Sequence, residues 1–193
     1  MEQTYIEEQT FDKMDFKEVA LEKGDYERCR FLNCDFSNSD LSENRFVDCE
    51  FSDCNLSLAS LINTAFRDVI FVGCKLLGLH FDTCHVFGLS MRFENCLLNH
   101  SSFYKTKLKQ THFKTTQLQE VDFTECDLTS SVFENCDLSR ATFERTNIEK
   151  TDFRTSCNYS IDPERNRLKK AKFSISNVSG LLDKYAIEID YTS

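Results

Sequence analysis

Tryptophan is absent from this 193-residue chain, proline occurs once and glycine five times. Five scattered glycines leave no Gly-rich loop to cradle a phosphate. No stretch approaches the roughly 18 apolar residues that a membrane span needs. The opening residues, Met1 to Phe11, alternate polar and apolar with no run of signal-peptide length. The expected setting is therefore cytoplasmic. There the ten cysteines are not a disulfide framework by default. No C-x-x-C pair occurs either, so no zinc site and no other cofactor is expected.

What the chain does have is phenylalanine, 18 copies, and a strict period. From Ile6 every fifth residue is large and apolar: Ile6, Phe11, Phe16, Leu21, Tyr26, Phe31 and onward to Phe81 and Val86. The frame then slips by two, and from Phe93 it runs on through Leu98, Phe103 and Leu108 to Phe153. A period of five is neither the 3.6 of a helix nor the 2 of a plain strand. It fits a chain that turns a corner every five residues. If the large residue is i, then i−2 also points inward, because side chains alternate along extended chain. That position holds Cys29, Cys34, Cys49, Cys54, Cys74, Cys84, Cys96, Cys126 and Cys136, with Ala, Ser and Thr between them. These nine cysteines are expected to be buried core, with only Cys157 off position. Position i−1, rich in Asp, faces water. From Phe93 on, Phe alternates with Leu or Ile, a composite period of ten. Four sides and a coil of twenty residues stack Phe over Phe, so four sides are expected. About seven and a half coils at ~4.8 Å each give a rod of about 36 Å.

The triplets Cys34-Asp35-Phe36, Cys54-Asn55-Leu56, Cys126-Asp127-Leu128 and Cys136-Asp137-Leu138 resemble the pentapeptide-repeat family. The resemblance covers Ile6 to Phe153. It implies an all-β fold, a right-handed quadrilateral β-helix. The expected organisation is a solenoid over residues 1–178 and a tail over 179–193. The solenoid has a two-residue slip at 87–92 and an irregular stretch at 154–166. A two-residue insertion must bulge or kink the stack, which could leave Phe87 or Leu89 exposed. The tail reads as a short helix from Gly180, capped by Ser176 or Ser179, then a strand over Ala186 to Asp190. It resembles the end of quinolone-resistance (Qnr-type and MfpA-type) members, where such a tail makes a two-fold dimer. On that resemblance Leu181, Leu182, Tyr185, Ile187 and Ile189 form a homodimer interface, with a monomeric cap as the alternative.

Function is expected to be binding rather than catalysis. A tube filled with Phe and Leu offers no shielded pocket in which paired carboxylates could shift their pKa values. Residues 1–56 carry fifteen Asp or Glu and six Lys or Arg, the whole of the chain's net −9. Direct nucleic-acid binding is thus disfavoured. The family resemblance implies an anionic, DNA-mimicking rod acting on DNA gyrase or topoisomerase IV. Its expected contacts are Asp15, Asp25, Asp35, Asp40 and Glu50, all at the outward i−1 position and so replaceable without disturbing the core. The other reading is an interaction scaffold with no topoisomerase role. A continuous negative face favours the first and a patchy surface the second.

Overall fold

The computed structural model describes residues 4–190. The chain winds into a right-handed four-sided β-solenoid of about 7 turns. Residues twenty apart stack: Tyr26 on Phe46 and Phe31 on Phe51, all in parallel register. The first side carries β1 (Thr4–Glu7), β3 (Gly24–Glu27), β5 (Arg45–Val47) and β7 (Ala65–Arg67). The second side carries a seven-stranded ladder. Its strands are β2 (Thr10–Asp12), β4 (Arg30–Leu32), β6 (Glu50–Ser52), β8 (Val69–Val72), β9 (Met91–Glu94), β10 (His112–Lys114) and β11 (Val132–Glu134). The third and fourth sides are joined by single bridges such as Asp35↔Asn55 and Asp40↔Ser60. Their central columns are Phe16, Phe36, Leu56, Leu76, Leu98, Leu118, Leu138 on the third side and Leu21, Leu41, Leu61, Phe81, Phe103, Phe123, Phe143 on the fourth. All of these residues are buried.

Backbone bonds run along the axis. On the third side Asp35 N donates to Met14 O at 2.9 Å, Phe36 N to Asn55 O at 2.7 Å and Asn38 N to Ser57 O at 3.0 Å. Each coil thereby satisfies its neighbours without any helix. The corner falls at i+2, in the left-handed region: Asn33 (φ 54°), Asn38 (φ 57°), Asp53 (φ 53°). Asn and Asp tolerate that region better than most residues, which accounts for their frequency there.

The i−2 position explains the interchange of Cys, Ser and Thr. Its side chain donates to the carbonyl of the large inward residue 23 positions earlier, in the preceding coil. Cys54 Sγ reaches Phe31 O at 3.2 Å, Ser131 Oγ reaches Leu108 O at 2.6 Å and Thr151 Oγ1 reaches Leu128 O at 2.7 Å. A small donor suits this place; a purely apolar side chain forgoes this bond. All nine expected cysteines are buried and free, and Cys157 is half-buried. Burial pushes the thiols of Cys34 up to about 11 and of Cys49, Cys126 and Cys136 to about 12.

Three expectations need correction. Val86, expected inside, is 79% exposed. The slip lifts it out, and Leu89 packs against the core beneath it. Backbone bonds bracket the bulge, His85 N to Thr64 O at 2.9 Å and Ser90 N to Phe66 O at 3.0 Å, and Gly88 sits at φ 74°. The tail helix is of 3-10 type, in two segments, Ile175–Leu181 and Asp183–Tyr185. Its N-cap is Ser174, so Ser176 and Ser179 lie inside it. No strand forms over Ala186 to Asp190, and Ala186 turns left-handed at φ 49°. In the irregular coil, Tyr159 and Ile161 are buried and continue the core where the repeat fails.

Candidate protein-binding surfaces

The rod presents four flat sides and one capped end, and the sequence-derived acids fall on all four sides. Asp15 and Asp35 stack on the third. Asp25 lies on the first, in β3, Glu50 on the second, in β6, and Asp40 on the fourth. The structure brings only Asp15 and Asp35 together. Each of the five also meets a cation: Asp15 and Lys17 at 3.8 Å, Asp35 and Lys17 at 2.8 Å, Asp25 and Arg45 at 2.8 Å, Asp40 and Lys23 at 4.0 Å, Glu50 and Arg30 at 3.7 Å.

Three of them have a structural task that the sequence reading missed. The Asp15, Asp35 and Asp40 carboxylates accept the N–H two residues on, from Lys17 at 3.0 Å, Ser37 at 2.9 Å and Ser42 at 2.9 Å. Asp122 and Asp137 do the same for Thr124 and Ser139. This side-chain-to-backbone turn is the reason for Asp and Asn at i−1. Replacing these acids therefore does disturb the coil, although none enters the core. Burial would raise Asp35, but its bonds to Lys17 and Ser37 outweigh that and hold it at about 2. Asp137 is held at about 2 in the same way, by Ser139, Gln119 and Asn158 against burial.

Counting charge side by side reveals a different acidic surface. The fourth side carries Glu22, Asp40, Glu43, Asp82, Asp122, Glu125, Glu144, Asp162 and Glu164 against Lys23, Lys105, Arg145 and Arg165. Nine acids against four cations make it the most negative side of the rod. The signal was present in the sequence, but it appears only when charges are sorted modulo one coil.

At the C-terminal end, Leu181 packs against the core and Leu182 is half-buried. Tyr185, Ile187 and Ile189 stay exposed, at 54%, 56% and 38%, beside Ile175 and Val178. The cap is pinned from beneath: Ile161 N donates to Gly180 O at 2.9 Å, and Lys184 Nζ bonds Asp162 and Glu164, each at 2.7 Å. A Cβ on Gly180 would lie 2.0 Å from Tyr159 O, so only glycine fits. Among the described residues no His, Cys, Asp or Glu cluster could hold a metal ion, and no helix is long and apolar enough to cross a membrane.

A four-sided coil with a large apolar centre, a small inward i−2 and a left-handed corner defines a pentapeptide solenoid. The profile of the pentapeptide repeat region matches residues 24–91 and 80–153, and the chain belongs to the pentapeptide-repeat family. No curated protein matches it by sequence comparison. Among solved structures it resembles two trypsin-treated forms of QnrB1, a plasmid-mediated fluoroquinolone resistance protein. Both are 18% identical over 97% of this chain. The matches cover 98% and 99% of those chains, with TM-scores of 0.61 and 0.62. HetL, a protein involved in heterocyst differentiation regulation in the cyanobacterium Nostoc, is 15% identical. That match covers 90% of this chain and 85% of HetL, with a TM-score of 0.48. At 18% identity the likeness to QnrB1 speaks to fold alone.

Proposed function

We propose that this protein is a non-enzymatic, cytoplasmic binding rod that lays its acidic fourth side into a basic, duplex-DNA-binding surface of a type II topoisomerase. DNA gyrase and topoisomerase IV are the partners to test. The nine acids against four cations on one flat side carry the reading. The QnrB1 fold, that of a fluoroquinolone resistance protein, supports the choice of partner. The exposed Tyr185, Ile187 and Ile189 support a homodimer through the C-terminal end, with Leu181 and Leu182 beneath. A two-fold axis there buries both apolar patches at once.

The test uses Glu43→Lys, Glu125→Lys and Glu144→Lys together, because none of these glutamates caps a turn. Wild type should compete with duplex DNA for gyrase and lose affinity steeply as salt rises. The triple variant should stay folded and stop competing. Wild type that neither inhibits supercoiling nor displaces DNA at tens of micromolar removes this reading.

One observation favours a second reading, a scaffold with no topoisomerase role. Asp15, Asp25, Asp35, Asp40 and Glu50 are scattered over four sides and each is ion-paired. A pull-down that recovers a partner without gyrase or topoisomerase IV subunits supports it.

A further inference from the structure

The five-residue frame of the rod shifts by two between Val86 and Phe93. Val86 and Phe87 are 79% and 72% exposed on the first side, where the residues stacked below, Tyr26, Phe46 and Phe66, are buried. They border an apolar cleft of about 230 Å³ that Leu89 floors and Lys105 and Lys107 overhang. On the other flank of the slip lies a polar cleft of about 530 Å³ bordered by Arg92 and Lys109 and by Asp48 and Asp68.

Charge pairing is incomplete here. Lys105 meets Glu125 at 3.6 Å and Lys109 meets Asp127 at 3.2 Å. Among the described residues Arg67, Arg92 and Lys107 have no carboxylate within 4.0 Å, although acids outnumber cations in the chain. The Arg67 guanidinium lies 5.6 Å from the Phe87 ring centre, and its Nε is shielded with no hydrogen-bond partner. The ladder is open as well. Asp127 N and Asn147 N donate to Thr106 O and Cys126 O one coil back, each at 2.9 Å, whereas the Lys107 N–H makes no such bond to the slip beneath it.

We propose that the slip is a docking site for an extended acidic segment of a protein partner, anchored by one apolar side chain in the cleft beside Phe87. The unpaired cations select acid. The small apolar cleft selects a single side chain. The open Lys107 N–H can donate to a peptide carbonyl, such as a missing strand would supply. The site lies on the first side and does not depend on the topoisomerase reading of the fourth.

The probe is a fluorescein-labelled synthetic peptide of Glu, Asp and Ser with a single central Phe, titrated with the full chain and read by anisotropy. Binding should be saturable and should weaken with salt. It should fall about tenfold, equivalent to ~1.4 kcal/mol, in Val86→Ser/Phe87→Ser and in Lys107→Glu. Glu43→Lys on the fourth side should leave it unchanged. Because Val86 and Phe87 are exposed, their variants should melt as wild type does. In the wild type the bound peptide should also slow hydrogen exchange at the Lys107 amide. The proposal is overturned by no saturable binding at millimolar peptide or by affinity unchanged in both variants. Equal binding of the peptide with Phe replaced by Ser, or tighter binding of a single-stranded oligonucleotide, overturns it too.

Discussion

Two stretches of the rod are built from the same five-residue unit with different outcomes. Above the slip, from Met91 to Phe153, aromatic columns run unbroken on opposite sides. Phe93, Phe113, Phe133 and Phe153 stack on the second, with ring centres 4.7 to 5.1 Å apart. Phe103, Phe123 and Phe143 stack on the fourth, at 5.4 and 5.2 Å. Below the slip, the first side instead carries Tyr26, Phe46 and Phe66, at 5.3 and 5.5 Å. That column stops at Phe66, and the fourth-side column starts at Phe81. The two rings meet obliquely, 6.4 Å apart and 56° between planes. The slip thus falls where one aromatic column ends and another begins on the adjacent side. An insertion is tolerated there because no uninterrupted ring stack is broken by it.

The largest contrast to test is Phe113 against Phe87. Phe113→Asp places a charge among stacked rings in a dry core and should cost more than about 4 kcal/mol, or abolish folding. Phe87→Asp, on the bulge, should shift stability by less than ~0.5 kcal/mol. Paired thermal melts compare them, and similar losses at both sites would erase the distinction between column and slip. A middle-sized effect is expected at the inward donors. Thr151→Val keeps the shape but removes one of two donors to Leu128 O, the Ser131 N–H remaining at 3.0 Å, a loss of about 1 kcal/mol by denaturant unfolding, while Thr151→Ser should retain most of the stability. The smallest effect is acid-linked and shared by both stretches. Asp35 below the slip and Asp137 above it are held at about 2, under the ordinary value near ~4. Their folded-state pKa is depressed, so their contribution is full above the unfolded value. It fades as pH falls from about 4 towards 2. Urea midpoints that stay flat across that window would mean the turn bonds carry no linkage.

The period made the solenoid legible, because a large apolar residue every fifth position admits few other folds. The number of sides was legible only through the Phe and Leu alternation above the slip. The function of the acids was not. Asp35 and Asp40 read as free surface charge in a linear sequence, and only the turn geometry shows their carboxylates holding the N–H of Ser37 and Ser42. Val86 obeyed the period yet left the core, since the two added residues let Leu89 reach inward in its place. The tail misled for a simpler reason. Alternation over Ala186 to Asp190 describes a chain suited to a strand, but Ala186 turns left-handed at its start.

The spacing of twenty residues between stacked partners has a consequence for how the molecule is made. Each coil's ladder bonds close only after a whole further coil has left the ribosome, and at roughly 5–20 residues per second that is about 1–4 s per coil. During synthesis the coils thus become able to pair in order from the N-terminus. Throughout synthesis the leading coil exposes a raw edge of unpaired amides and carbonyls. That edge is closed only at the end, when Gly180 seats against Tyr159 and the 3-10 cap comes down.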